Sequence, residues 1–219
     1  MWQAFLHAFP ANQSVYEFVC RETPARPLAE LADEVREQID HLCSLRFTEE
    51  ELEYLAGRKF FKSDFIDFLR IFRLQQRYVR VEARGDDLVI RAEGPQIHVM
   101  AFEVYVLAIV SELHSRRIAT ADVLSEARHR LDAKIARVRE FERAGAPGRH
   151  PFEFSDFGTR RRFTREWHEE AITRLARELP RFFKGSSNVH LARVHGMAAI
   201  GTMAHEYLQT FQAVSAMPR

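Results

Sequence analysis

Residues 152–214, FEFSDFGTRRRFTREWHEEAITRLARELPRFFKGSSNVHLARVHGMAAIGTMAHEYLQTFQAV, decide the fold class of this chain. Short apolar runs predict strands, and runs with apolar residues at helical spacing predict helices. Three predicted strands alternate with three predicted helices, at 152–157, 164–179, 181–184, 188–195, 197–202 and 206–214. Such alternation is typical of a parallel sheet whose strands are joined by crossover helices. The stretch therefore predicts the first three strand–helix units of a β/α barrel.

The predicted barrel is incomplete within this sequence. Eight strand–helix units need about 250 residues, and residues 149–219 have room for three. The tract AGAPG at 144–148 predicts a linker, and residues 1–143 predict a separate region. The fold class expected is α/β: an α+β N-terminal region over 1–143, followed by a truncated β/α barrel over 149–219.

Local signals predict the elements of the N-terminal region. Thr48 and Glu51 form a capping box, in which each side chain bonds the other residue's free amide, so a helix should begin there. Ser63 is expected to cap the next helix. The remaining predicted elements are strands at 15–20, 78–83 and 88–92, with a turn at 84–87 joining the last two, and helices at 28–42, 99–116 and 121–141.

Composition excludes several classes of function. The chain has 219 residues, 46% of them hydrophobic and 29% charged, and a formal net charge of +1. A charge so close to neutral predicts no general attraction to nucleic acid or to an anionic membrane. Cys20 and Cys43 fit no metal or disulfide spacing, so a reducing cytoplasm is the expected location. The longest apolar run, 97–110, is interrupted by His98 and Glu103 and is expected not to cross a bilayer.

Polar groups suited to binding anions follow each predicted barrel strand. Because the carboxyl ends of barrel strands meet at one face, these loops should lie together. In the first loop, an arginine guanidinium can donate two parallel hydrogen bonds to a phosphate or carboxylate. In the second, Gly185–Ser186–Ser187–Asn188 offers hydroxyls and amides that can bind phosphate. In the third, the neutral imidazole of a histidine can act as a base or a nucleophile. The candidate site residues are Arg160, Arg161, Ser187, Thr202, His205 and Glu206.

Each loop also has a structural explanation. The arginine run at 160–162 fits a solvated turn, and the run at 185–188 fits a helix N-cap. A lone histidine such as His205 is more often structural than catalytic. No metal site is predicted, because His190 and His195 make no recognised ligand spacing with His205. The other histidines, including His168, have no motif around them.

These pieces, in this order, resemble the nicotinate phosphoribosyltransferase family. The resemblance runs through nearly the whole chain, from Trp2–Gln3–Ala4 onward. Its most specific parts are the run DFGTRRRF at 156–163 and Gly201–Thr202 with Ala204–His205–Glu206. It implies the fold of a type II phosphoribosyltransferase.

The resemblance implies that nicotinate and phosphoribosyl pyrophosphate form nicotinate mononucleotide and pyrophosphate, in NAD biosynthesis. It further implies that ATP hydrolysis is coupled through a phosphohistidine, and His205 matches that histidine. ATP would be a co-substrate and Mg²⁺ would assist. The substrates would be the partners, with no nucleic acid or membrane, and a homodimer is one assembly that the family forms. The residues expected around the pocket are Arg160, Arg161, Ser187, Thr202 and Glu206.

Two alternatives remain open at this stage. One is a related phosphoribosyltransferase that acts on nicotinamide or quinolinate, and the other is a non-catalytic half-barrel that binds a partner. The 219 residues alone are expected to be an incomplete enzyme with little activity, because the rest of the barrel is needed for the other wall of the pocket.

Overall fold

Two three-stranded sheets lie in different parts of the chain, in a computed structural model that describes residues 1–20, 27–145 and 152–214. Before residue 146 the elements are α1 (Trp2–Ala8), β1 (Gln13–Glu17), a 3-10 turn (Leu28–Leu31), α2 (Ala32–Ser44), α3 (Glu49–Ala56), α4 (Ser63–Ile71), a 3-10 turn (Gln76–Tyr78), β2 (Val79–Arg84), β3 (Asp87–Pro95), α5 (Gln96–Val99), α6 (Phe102–Arg116) and α7 (Ala121–Arg143). From residue 152 they are β4 (Phe154–Asp156), a 3-10 turn (Thr159–Arg161), α8 (Arg165–Glu178), β5 (Phe183–Ser186), α9 (Val189–Val194), β6 (Ala198–Ala199) and α10 (His205–Val214).

The first sheet is antiparallel, in the order β1-β3-β2. The predicted hairpin is confirmed: β2 pairs with β3, and Gly85 between them has a φ of 60°, a conformation that glycine adopts at no steric penalty. Helices α2 and α6 pack against this sheet through the largest apolar core of the described residues, which includes Val35, Ile39, Ile90 and Phe102.

One predicted helix cap is confirmed and the other is wrong. Thr48 and Glu51 form the capping box at the start of α3. Ser63 is instead the first residue of α4, one position too late for its hydroxyl to cap, and the N-cap residue Lys62 makes no side-chain hydrogen bond. The Lys62 amide donates to Gln3 Oε1 at 2.8 Å, so a neighbouring helix supplies the acceptor.

The helical stretch Gln96–Arg116 is the one candidate for a membrane span among the described residues, by length and composition alone. The sequence predicted that this region is too short and too polar to span. Its buried side chains, such as Val106 and Val110, belong to the core cluster against the first sheet. Core helices of soluble proteins pass the same test of length and composition, so this one carries little weight as a membrane span.

The second sheet is parallel, in the order β4-β5-β6, which confirms the predicted alternation of strand and helix. Helix α8 begins after Thr164, whose hydroxyl accepts from the Trp167 amide at 3.1 Å, and its Ile172 packs with Phe183 of β5 and Leu191 of α9. The third strand is much shorter than the predicted 197–202. Residues 146–148 of the predicted linker lie outside the described residues, and the proposed domain boundary stays a prediction.

Helix α10 packs on the N-terminal region. The ring of Tyr207 lies 6.0 Å from that of Phe5, and the ring of Phe211 lies 4.7 Å from that of Phe9, between centroids. The N-terminal region therefore helps to position the segment that follows the third barrel strand.

Candidate functional site

The carboxyl ends of β4 and β5 meet on the side chain of Asp156. Its Oδ2 accepts from Ser186 Oγ at 2.6 Å and lies 2.8 Å from His168 Nε2, and its Oδ1 accepts from the Gly158 amide at 2.9 Å. The carbonyl of Asp156 accepts from the Ser187 amide at 2.8 Å. One residue thus fixes the loops that follow two adjacent strands.

Burial raises the pKa of the Asp156 carboxyl, but the hydrogen bonds from His168, Ser186 and the Gly158 amide outweigh burial and hold this pKa below its usual value. The carboxylate is therefore charged at neutral pH. The sequence predicted no role for His168, because no motif surrounds it. Its partner is 12 residues away, and no motif reveals a contact between a strand end and the following helix.

The third strand end lies beside the second. The Ile200 amide, just after β6, donates to the Ser186 carbonyl at 3.0 Å. Thr202 and His205 follow on an exposed segment, with His205 as the first residue of α10. The three predicted loops therefore leave three neighbouring parallel strands at the same edge.

The three consecutive arginines make different contacts. Arg162 turns away from the strand ends and binds the carboxylate of Glu112 in α6, with its Nε at 2.7 Å. Arg160 pairs with Glu103 at the start of α6. Arg161 is exposed and makes no ion pair or hydrogen bond with any other side chain in the described part of the chain. Within the described residues, Arg161 is therefore the one of the three arginines whose guanidinium is not held by another side chain.

Replacing Arg162 should damage stability, whereas replacing Arg161 should not. The Glu112 side chain is 8% exposed and that of Arg162 is 21% exposed. Arg162→Met leaves a buried carboxylate with only the outer guanidinium of Arg116, and we expect a loss of about 3 kcal/mol in the free energy of unfolding. Arg161→Met should change it by less than about 0.5 kcal/mol. Urea unfolding followed by circular dichroism measures both, and equal effects would contradict these assignments.

Glu206 is held by the N-terminal region. The Tyr16 hydroxyl in β1 donates to Glu206 Oε1, and burial, together with this carboxylate, raises the pKa of Tyr16 well above its usual value. The charge of Glu103 raises the same pKa further. Glu103 also pairs with Arg160, so its charge acts both on the first loop and on the tyrosine that holds Glu206.

All six predicted residues lie at or just beyond the carboxyl ends of β4, β5 and β6, and Tyr16, Glu103, Asp156 and His168 are neighbours that the sequence analysis did not identify. The Ser187 side chain is half-buried and has no hydrogen-bond partner within the described residues. A cavity of about 520 Å³ lies elsewhere, between α7 and α8, and none of the six lines it. The roles of the six residues remain predictions.

Comparisons with known proteins identify the family. Residues 1–111 match the model of the nicotinate phosphoribosyltransferase N-terminal domain, and residues 152–219 match the model of the nicotinate phosphoribosyltransferase family. The chain belongs to the nicotinate phosphoribosyltransferase family. Its resemblance to this family is confirmed, and so is its fold class, since solved structures of nicotinate phosphoribosyltransferases share it.

The relatives are similar over nearly the whole of this chain. The nicotinate phosphoribosyltransferase of Herminiimonas arsenicoxydans is 54% identical over 97% of the chain, and that of Chromobacterium violaceum is 49% identical over 98%. The crystal structure of the Vibrio cholerae nicotinate phosphoribosyltransferase is 32% identical, with a TM-score of 0.86 over 98% of this chain and 50% of its own. The Porphyromonas gingivalis structure is 31% identical, with a TM-score of 0.82 over 97% of this chain and 53% of its own. The chain spans 53% and 54% of the first two relatives, about half their length.

Proposed function

We propose that this chain takes part in the nicotinate phosphoribosyltransferase reaction, in the cytoplasm, as a step of NAD biosynthesis. The observation that carries the proposal is the meeting of three loops with anion-binding and nucleophilic groups at the ends of β4, β5 and β6. The ring nitrogen of nicotinate attacks C1 of phosphoribosyl pyrophosphate. The bond from C1 to the pyrophosphate oxygen breaks, and pyrophosphate leaves with both electrons of that bond.

Positive charge must be placed where the leaving pyrophosphate gathers negative charge. Arg161 is free to provide it, and Arg160, whose side chain is exposed, can exchange its contact with the half-buried Glu103 for a phosphate. Ser187, on the adjacent loop, offers a hydroxyl that no described protein group uses. These residues form the phosphate-binding part of the proposed site.

His205 is the proposed phosphate acceptor. A neutral ring nitrogen attacks the γ-phosphorus of ATP, a phosphorus–nitrogen bond forms, and ADP leaves with the bridging oxygen. Water later cleaves the phosphorus–nitrogen bond and releases phosphate. The exposed position of His205 at the start of α10 leaves its ring open to a nucleotide.

In the proposed reaction, Mg²⁺ is expected to bind together with the phosphate-containing substrates. The described residues contain no group of three or more His, Cys, Asp or Glu side chains suited to holding a metal ion. Mg²⁺ prefers phosphate oxygens and water, with few protein ligands. The ion would therefore be held mainly by the phosphate oxygens of the substrates and by water.

Loss of Arg161 should weaken binding of phosphoribosyl pyrophosphate. Arg161→Met removes a charge-assisted contact to phosphate, so we expect the dissociation constant to rise roughly tenfold to a hundredfold. Isothermal titration calorimetry with Mg²⁺ present measures it. The matched control is Arg130→Met, which removes an exposed arginine of α7 that pairs with Glu126. Equal weakening in both variants would show that only overall charge matters.

Product formation tests the reaction itself. The chain is incubated with phosphoribosyl pyrophosphate, ATP, Mg²⁺ and either nicotinate, nicotinamide or quinolinate, and mononucleotides are measured by mass spectrometry. Calorimetry measures the binding of each of the three compounds. The proposal expects the chain to bind nicotinate, and to prefer it over both analogues in binding and in product formation. Preference for an analogue, or binding of none of the three together with no binding of phosphoribosyl pyrophosphate, would overturn it. The amount of product also tests the prediction that the chain alone has little activity.

A further inference from the structure

His168 and Asp156 form a pair beneath the proposed phosphate-binding loops, in which the histidine is buried and the carboxylate is 14% exposed. His168 is 6% exposed and Ser186, the other side-chain partner of Asp156, is 0% exposed. Water therefore has little access to the two donors of these hydrogen bonds. Their loss would leave a charged, largely buried carboxylate without its side-chain donors.

The two ring nitrogens of His168 have different surroundings. Its Nε2 faces Asp156, while its Nδ1 is buried without a hydrogen-bond partner among the described residues. A proton on Nδ1 would be a buried, unsatisfied donor. Because the Asp156 carboxylate is charged and can only accept, Nε2 is the ring nitrogen that donates to it.

The loop that carries Arg160 and Arg161 rests directly on this pair. A methyl group placed on Gly158 would lie 2.8 Å from Asp156 Oδ1 and 3.4 Å from His168 Nε2. Only a glycine lets the backbone approach so closely without displacing the carboxylate. The conformation of this loop therefore depends on where Asp156 and His168 sit.

The second loop is tied to the same carboxylate. Ser186 Oγ donates to Asp156 and accepts from the Asn188 amide at 2.9 Å. Asn188 in turn caps α9 by accepting from the Leu191 amide at 3.1 Å. A chain of hydrogen bonds thus runs from His168 in α8, through Asp156, to the start of α9.

We propose that Asp156 and His168 are positioning residues, whose hydrogen bond holds the loop of Arg160 and Arg161 at a set distance from the loop of Ser187, so that one phosphate ligand contacts both. This inference rests on the proposed function for the kind of ligand. The coupling of the two loops does not depend on any ligand and is measured separately.

The test compares three variants. His168→Leu removes the donor to Asp156, and His168→Gln keeps an amide N–H near the position of Nε2. The matched control is His195→Leu, which removes a histidine that lies 2.7 Å from the carboxylate of Glu169 on the surface. Hydrogen exchange by mass spectrometry follows residues 157–163 and 186–190, and calorimetry follows the binding of inorganic pyrophosphate.

In His168→Leu, we expect exchange to rise in both loops together while the hairpin of β2 and β3 stays protected. The dissociation constant of pyrophosphate should rise roughly tenfold, because the two loops are no longer pre-organised. His168→Gln should restore both properties, and His195→Leu should leave both unchanged.

The outcomes separate the two proposals. Faster hydrogen exchange in both loops of His168→Leu, with rescue in His168→Gln, supports the positioning role. Failure of the parent chain to bind pyrophosphate would count against the proposed function and not against the positioning role. Unchanged exchange in His168→Leu, a change in only one loop, or no rescue by glutamine would overturn the positioning role. Circular dichroism of each variant shows that it is folded.

Discussion

The His205→Asn variant is expected to lose phosphate labelling by ATP down to background. The parent chain, incubated with Mg²⁺ and ATP labelled at the γ-phosphate, should carry acid-labile phosphate on this residue, as a phosphohistidine does. Asparagine resembles the polar part of the imidazole in size, but its amide nitrogen is not nucleophilic. Because His205 is exposed at the start of α10, its replacement should leave the fold intact.

A second exposed histidine supplies the control for this experiment. His190 is exposed in α9, the helix that follows β5. His190→Asn should keep full labelling, because His205, and not His190, matches the phosphohistidine that the family resemblance implies. Peptide mapping after labelling identifies the modified residue. Label that persists in His205→Asn, or that maps to another residue, would falsify the assignment of His205.

The Gly185→Ala variant is expected to disrupt the parallel sheet. Gly185 has a φ of 145°, and a methyl group on it would lie 2.0 Å from the carbonyl oxygen of Ala198. That oxygen belongs to β6, the strand that pairs with β5 at this position. The clash with backbone, added to the strained φ, should lower the free energy of unfolding by more than about 4 kcal/mol, at the upper end for single substitutions.

Gly196 is the matched control, because it has a positive φ without a close neighbour. Its φ is 62°, and no atom outside Gly196 and its two chain neighbours lies within 4 Å of the position of a Cβ. Gly196→Ala should therefore lower stability only by about 1 kcal/mol, the penalty of a left-handed conformation. Urea unfolding and hydrogen exchange over 183–200 measure both variants. Similar losses for the two would show that backbone conformation, rather than contact with β6, sets the requirement for glycine at 185.

Local sequence signals predicted most elements correctly, because those elements depend on neighbours in the chain. The capping box of Thr48 and Glu51 and the turn at Gly85 involve residues within four positions. The prediction that Ser63 caps α4 was wrong because the start of this helix depends on a residue that is distant in the chain. This helix obtains an acceptor from Gln3, which is 59 residues away, and no local pattern reports such a contact.

The candidate residues were predicted from their position after strands, and in the structure the loops that carry them follow three neighbouring parallel strands of one sheet. The different contacts that the three arginines make could not be predicted from the sequence. Arg162 differs from Arg161 only because Glu112 of α6 lies within reach, and that depends on how α6 packs beside the barrel strands. The role of His168 was missed because its contact with Asp156 joins a helix to a strand end.

The sequence by itself determined the family, the parallel strand–helix pattern and the loops that carry Arg160, Ser187 and His205. These follow from apolar periodicity and from short motifs, which are properties of neighbouring residues. Only the tertiary structure decided which of these side chains are free and which are held. The contacts between Asp156 and His168, Arg162 and Glu112, and Tyr16 and Glu206 join different elements. Such contacts form only when packing brings distant segments together, and this packing depends on the whole chain.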